Sequence, residues 1–186
     1  MKKTFVMMAL VAGAFAAAPV ASYAQSTVMV GGEVMYPSKD IIDNAVNSKD
    51  HKTLVAAVKA AGLVETLKGK GPFTVFAPTD DAFENLPEGT VETLLKPENK
   101  GTLTSVLTYH VVSGRIDAAE LMKQIKAGKG QAKLKTVAGG TLTATMNGAK
   151  NVQLTDENGN KANISVYDVY QSNGVIHVLD RVLLPK

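Results

Sequence analysis

The spacing of apolar residues changes once along this chain, and the change limits the folds it can adopt. Before Gly128, apolar residues recur every three or four positions, as on one helix face, apart from the strand-like run at residues 73–77. After Gly130 they alternate with polar residues, as in residues 132–136 and 141–146. Helices followed by a run of strands predict an α+β fold, with helices packed on a mostly antiparallel sheet. No Pro- or Ser-rich linker divides the chain, so we expect a single domain.

Several element boundaries follow from local residue types. Ser38 and Asp50 are predicted to cap the first two helices, and Thr79 and Asp117 two later ones. Residues 25–36 are weakly patterned and are expected to form a lead-in segment or a loose first strand. Strands are also predicted at residues 109–112 and 175–184.

The first 24 residues have the pattern of a cleaved Sec-type signal peptide. Lys2 and Lys3 precede an uncharged apolar stretch at residues 5–18, and Ser22 and Ala24 are the small residues before a cleavage site. The stretch is shorter than the roughly 20 residues of a membrane span. With no cysteine to carry a lipid, we expect a periplasmic or secreted protein with no membrane span after cleavage.

Charge and composition exclude several classes of function. Without residues 1–24 the chain has 18 Lys or Arg against 17 Asp or Glu, so net charge indicates no polyanionic partner. Only Arg115 and Arg181 are arginines, which argues against a nucleic-acid reader. The absence of cysteine excludes disulfides, thiol nucleophiles and Cys-ligated metals.

No motif in the sequence predicts catalysis, a cofactor or a metal. The three histidines have no metal-ligand spacing; His51 is expected to be solvated, whereas His110 and His177 lie in apolar segments and are expected to be structural. No Gly-x-Ser-x-Gly elbow is present. Asp80 and Asp81 stand at a predicted helix start, where carboxylates stabilise the helix. The Gly-Lys-Gly sequences lack the Walker spacing.

Three segments, in order, resemble the fasciclin domain family. Residues 74–83 (Thr-Val-Phe-Ala-Pro-Thr-Asp-Asp-Ala-Phe) are similar to its first signature, and residues 173–185 (Asn-Gly-Val-Ile-His-Val-Leu-Asp-Arg-Val-Leu-Leu-Pro) to its second. Between them, residues 107–112 (Leu-Thr-Tyr-His-Val-Val) resemble its Tyr-His segment. The resemblance predicts a fasciclin domain over residues 37–186, after the signal peptide at 1–24 and the lead-in at 25–36.

This resemblance implies a compact wedge in which the two signatures form adjacent central strands. Residues of the family's structural motifs are then expected at these positions: Thr74, Phe76, Ala77, Pro78, Thr79, Phe83, Tyr109, His110, Asn173, Gly174, His177 and Asp180. His110 and His177 are expected to be buried and hydrogen-bonded.

The resemblance also implies adhesion without catalysis or cofactor, through a protein or glycan partner at a cell surface or matrix. In animal relatives an Asp-Ile pair is linked to integrin binding; Asp168 and Val169 match it here, and Tyr170 completes the candidate partner-binding segment. We expect a monomer.

Two alternatives remain open. One is an envelope protein that carries a lipid or other small ligand, or responds to stress, and it predicts an apolar pocket. The other is a hydrolase, which requires an accessible His110 or His177.

Overall fold

The structure is a computed structural model and describes residues 27–186; the predicted signal peptide lies outside them. The helices are α1 (Ile41–Ala45), α2 (Lys52–Ala61), α3 (Val64–Lys68), α4 (Asp80–Glu84), α5 (Thr90–Leu95), α6 (Lys100–Tyr109) and α7 (Ala118–Ala127). A 3₁₀ turn at Pro97–Asn99 precedes α6. The strands are β1 (Val28–Val30), β2 (Glu33–Met35), β3 (Phe73–Pro78), β4 (Val111–Ser113), β5 (Gln131–Lys135), β6 (Thr141–Asn147), β7 (Asn151–Thr155), β8 (Lys161–Gln171) and β9 (Gly174–Leu179).

Seven strands form one sheet in the order β4-β3-β9-β8-β7-β6-β5. Its neighbouring strands run antiparallel, except that β3 and β9 pair in parallel. The predicted α+β class with a mostly antiparallel sheet is therefore confirmed.

The two segments that resemble the family signatures lie side by side at the centre of the sheet. Phe73 pairs with Gly174 and Pro78 with Leu179, in continuous register. Gly174 is required because a Cβ atom there would lie 2.2 Å from the carbonyl oxygen of Phe73. Both strands are covered on both faces, which explains why they are continuous apolar runs rather than alternating ones.

The sheet separates two apolar clusters. On one side, Val75, Ile176 and Val178 pack against helices α1 to α6. On the other, Phe76 and Leu179 join Leu121 and Ile125 of α7 and the inward side chains of β5 to β8. Because successive strand residues point to opposite faces, the central pair of strands contributes to both clusters.

The lead-in segment forms a hairpin rather than one loose strand. β1 and β2 pair antiparallel around Gly31 and Gly32, which have φ values of 60° and 75°. Positive φ at both turn positions matches the twist of a two-residue hairpin. At Gly31 a Cβ atom would also lie 2.7 Å from the Ser48 hydroxyl, so the hairpin packs closely on the chain after α1.

Two of the predicted helix caps are wrong and two are confirmed. Asp40, not Ser38, caps α1 by accepting a hydrogen bond from the Asp43 amide. Asp50 gives no side-chain cap to α2, which begins after His51. The predicted caps Thr79 and Asp117 accept from the amides of Ala82 and Glu120.

Two predicted strands differ in extent. Tyr109 ends helix α6 and His110 follows it as the C-cap, so the strand begins only at Val111. The final strand ends at Leu179 instead of Leu184. In both places the buried run is longer than the strand, since it starts before β4 and continues after β9. Burial alone does not distinguish a strand from the end of a helix or from a loop.

The start of α2 depends on a carboxylate that is distant in sequence. Oδ1 of Asp80 accepts from the amide of Thr53 at 2.8 Å, and Oδ2 accepts from that of Lys52 at 3.3 Å. We expect Asp80→Ala to lower the free energy of unfolding by about 1 kcal/mol. Asp50→Ala is the matched control and should change it by less than about 0.5 kcal/mol. Urea unfolding of both variants measures this, and equal losses would contradict the assignment.

Candidate functional site

The predicted partner-binding segment is only partly available at the surface. Val169 is 1% exposed and packs in the helix-side cluster, so its assignment as a contact residue is wrong. Asp168 is half-buried, has a φ of 56°, and accepts a hydrogen bond from the Ala118 amide at 2.7 Å. Tyr170 is half-buried, with its hydroxyl 3.5 Å from Oδ2 of Asp117. Asp168 and Tyr170 thus support the start of α7, where Asp117 is the cap.

His110 and His177 are both buried and hydrogen-bonded through both ring nitrogens. In His110, Nδ1 lies 2.8 Å from the Val106 carbonyl oxygen and Nε2 accepts from the Leu183 amide at 3.1 Å. In His177, Nε2 lies 2.9 Å from the Ile116 carbonyl oxygen and Nδ1 accepts from the Asp168 amide at 3.4 Å. Each ring is therefore a neutral tautomer, because one nitrogen donates and the other accepts.

Burial lowers the pKa of both rings, to about 4 for His110. The expectation that they are buried is confirmed. The hydrolase alternative required one of them to be accessible, and neither is.

His51 is 4% exposed, so the expectation that it is solvated is wrong. Its Nδ1 lies 2.8 Å from the Ser48 hydroxyl, while its Nε2 has no hydrogen-bond partner within residues 27–186. Burial lowers the pKa of His51; the Ala77 carbonyl opposes this effect, although it does not have the geometry of a hydrogen bond. A neutral imidazole nitrogen here remains free to pair with a polar atom.

The remaining motif residues hold separate elements together. Asn173 accepts from the Ile41 amide at 3.1 Å and donates to the carbonyls of Leu67 and Gly69 at 2.7 and 2.9 Å. The Thr74 hydroxyl donates to the Gly114 carbonyl and accepts from the Ile116 amide. The Tyr109 hydroxyl donates to the Thr141 carbonyl, and Asp180 accepts from Asn163. Thr79 caps α4. The remaining motif residues listed here are buried: Phe76, Ala77, Pro78 and Phe83.

A cavity of about 80 Å³ lies between the helices and the sheet. Its walls are almost entirely apolar side chains of β2, α1, α2, β3 and β9, with His51 and Ser48 among the few polar groups. An engineered cavity of about 150 Å³ binds benzene, so this one is too small for an acyl chain. It satisfies the expectation of an apolar pocket but not the volume that a lipid needs.

The outer surface of strands β5 to β8 is a continuous polar surface. In these strands alternate side chains are buried against α7, and the intervening ones are exposed or half-buried. We call the following set the polar sheet face: Gln131, Lys133, Lys135, Thr141, Thr143, Thr145, Asn147, Asn151, Gln153, Thr155, Lys161 and Asn163.

This face lies in the part of the sequence that carries an excess of basic residues. Residues 27–120 contain 13 acidic and 9 basic residues, whereas residues 121–186 contain 4 acidic and 9 basic. Between residues 121 and 155 there are six lysines and no acidic residue. The prediction from net charge missed this segregation, because nearly equal totals cancel; a running charge count along the sequence detects it.

Comparison with known proteins identifies the kind of domain that this architecture defines. The model of the fasciclin domain matches residues 49–185. A solved FAS1 domain pair from the insect cell adhesion molecule Fasciclin I superposes with a TM-score of 0.68 at 20% identity, covering 78% of this chain. The chain spans 51% of the length of that pair, and the likeness concerns the fold alone. This chain belongs to the fasciclin domain family.

Named relatives come from bacteria and animals. Protein sll1483 of Synechocystis is 51% identical over 78% of this chain and 73% of its own length. Immunogenic protein MPB70 of Mycobacterium bovis is 33% identical over 89% of this chain and 79% of its own. Transforming growth factor-beta-induced protein ig-h3 of the pig is 35% identical over 80% of this chain, which spans 20% of its length. Within residues 27–186, no helix is both long and apolar enough to cross a membrane.

Asn173 connects the turn before β9 to both α1 and α3. We expect Asn173→Ala to lower the free energy of unfolding by about 2–3 kcal/mol, because three backbone groups lose their partner in buried surroundings. Replacement of the exposed Asn160, Asn160→Ala, removes one local turn contact and should cost less. Guanidinium unfolding of both variants measures the difference, and an Asn173→Ala cost below that of Asn160→Ala would contradict it.

The buried histidines make stability depend on pH. Since the folded pKa of His110 is about 4, below the ordinary 6.5, the unfolded chain binds the proton more tightly. Stability is complete above pH 6.5 and falls as the pH drops toward 4, by about 3 kcal/mol for this one group. We expect His110→Gln to unfold more easily at pH 7.5 but to lose less stability between pH 6.5 and 4.5. Urea midpoints at several pH values measure this, and parallel profiles for both proteins would refute it.

Proposed function

We propose that this chain is a non-catalytic, exported interaction module that mediates adhesion by binding a partner protein or glycan at a cell surface or matrix. The observation that carries the proposal is the polar sheet face, where twelve exposed or half-buried side chains, each hydrogen-bonding or cationic, lie on paired strands. Its residues support one another laterally: Gln153 and Asn147 both donate to Oδ1 of Asn163. These three amide side chains are held in place and therefore lose little freedom on binding.

The absence of catalysis is part of this proposal. The ring nitrogens of His110 and His177 are already engaged by backbone groups, and the pKa of each ring is lowered by burial, so neither is poised to exchange protons with a substrate near neutral pH. The name of one relative, the cell surface glycolipoprotein MPB83 of Mycobacterium bovis, and that of the cell adhesion molecule Fasciclin I agree with an exported site of action.

Adhesion is tested by retention of residues 25–186 on envelopes of cells that produce the chain. We expect saturable binding that disappears after the envelopes are treated with protease or with glycan-cleaving enzymes. Binding that survives both treatments, or no binding above that of an unrelated domain of similar size, would overturn the proposal.

The same assay decides whether the Asp168 segment is part of the contact. Asparagine at position 168 still offers a side-chain oxygen to the Ala118 amide and tolerates a positive φ, so Asp168→Asn should keep the local structure. Alanine has no such oxygen and tolerates a positive φ poorly, so Asp168→Ala should disturb it. We expect Asp168→Asn to bind as the parent does and Asp168→Ala to lose about 1–2 kcal/mol of stability. A large binding loss in a fully folded Asp168→Asn would instead place the partner at Asp168.

A second candidate function is the carriage of a small apolar molecule, which is favoured by the cavity and by Nε2 of His51, for which residues 27–186 offer no hydrogen-bond partner. At about 80 Å³ the cavity has room only for a molecule smaller than benzene, unless the β1–β2 hairpin over it moves. Native mass spectrometry of the protein taken from its own producing cells tests this idea. A stoichiometric adduct supports carriage, and a bare polypeptide mass argues against it.

A further inference from the structure

The polar sheet face has a composition that selects among possible partners. Each of its twelve side chains is a lysine, a threonine, a glutamine or an asparagine. It therefore offers amide and hydroxyl groups, which pair with hydroxyls, and ammonium groups, which pair with anions. It offers no carboxylate and no apolar or aromatic side chain.

The lysines stand at both ends of a row that crosses four strands. Lys133 pairs with Thr143, Thr143 with Thr155, and Thr155 with Lys161. With strands about 4.8 Å apart, the two lysine Cα atoms are separated by about 14 Å, and two threonines fill the interval. Lys135 lies two residues from Lys133 on the edge strand, and Lys150 lies in the turn between β6 and β7.

Each carboxylate that borders this face accepts hydrogen bonds within the protein, and two of the three accept them from residues of the face itself. Glu157 accepts a hydrogen bond from the Thr141 amide at 3.2 Å. Both oxygens of Asp180 accept from Asn163, at 2.7 and 2.8 Å. Asp156 is 5% exposed and accepts from the turn that contains Asn158 and Asn160. The lysines of the row have no ion pair within residues 27–186.

We propose that the polar sheet face binds an acidic polysaccharide, with uronate carboxylates on the lysines and sugar hydroxyls on the threonines and amides. The inference rests on the proposed function, since it names the chemical class of the partner. A polymer that carries both anionic and hydroxyl groups matches a surface on which two threonines lie between two lysines.

Two other polyanions fit this face less well. Nucleic-acid binding relies on arginine forks and on aromatic side chains that stack on bases, and the face has neither. Anchoring on an anionic membrane combines lysines with apolar side chains that enter the interface, and the face has none of these.

The binding of residues 25–186 to alginate, a uronate polymer, tests the proposal. We expect binding that weakens steeply as salt is raised, since the contacts include exposed charges. Uncharged dextran should not bind measurably. Double-stranded DNA and phosphatidylglycerol vesicles should bind at least tenfold more weakly than alginate, and equal or tighter binding of either would overturn the choice of partner.

Matched variants separate a specific face from general charge. Lys133→Gln with Lys161→Gln removes two charges from the face and should weaken alginate binding about tenfold. Lys96→Gln with Lys126→Gln removes two exposed charges elsewhere and should weaken it less than threefold. Equal effects of the two pairs would show attraction by net charge alone and would refute the site.

A third variant tests the hydroxyl contacts. Thr143→Val with Thr155→Val retains shape and charge, and it should weaken alginate binding by at least threefold while the fold, followed by circular dichroism, is unchanged. An unchanged affinity for alginate would show that only the lysines bind the polymer, and it would contradict the proposal. If the domain does not bind alginate but is still retained by cell envelopes, this inference is wrong and the proposed function stands.

Discussion

The parallel pairing of β3 with β9 is the interaction on which the rest of the structure depends. It joins strands that are about 100 residues apart in the chain. Helices α1 to α6 pack on one face of this pair, and strands β8 to β5 extend the sheet from the edge of β9. Because both strands are buried on both faces, they contribute side chains to both clusters. Closing such a long loop costs conformational entropy, which the burial of both strands offsets.

Polar residues around this pair act as fixed connectors. Asn173 holds α1 and α3 to the turn before β9, Thr74 holds the chain after β4, and His110 holds the segment after β9. Each connector is buried and satisfied by backbone groups, so its loss leaves several unpaired groups at once. The histidines are neutral in the folded protein, so acidic pH destabilises the fold.

Because the central strands β3 and β9 are buried, the surfaces that could bind a partner lie at the margins of the domain. The Asp168 segment is engaged at the start of α7, and the cavity is small. The polar sheet face is different because its strands pair with one another while its outward side chains face solvent. A fold that buries its reactive groups and presents an ordered polar sheet is suited to binding rather than to chemistry.

The sequence by itself determined the α+β class, the apolar central strands and the caps Thr79 and Asp117, because these depend on local spacing and residue type. It also carried the three segments that mark the family. It did not predict that Asp80 caps α2 or that Val169 points inward, since both depend on contacts between distant parts of the chain. Burial of His51 was missed for the same reason, because its neighbours in sequence are polar while its neighbours in space are not. Only the tertiary structure decided which lysines share a surface, because the register of four paired strands aligns Lys133 with Lys161.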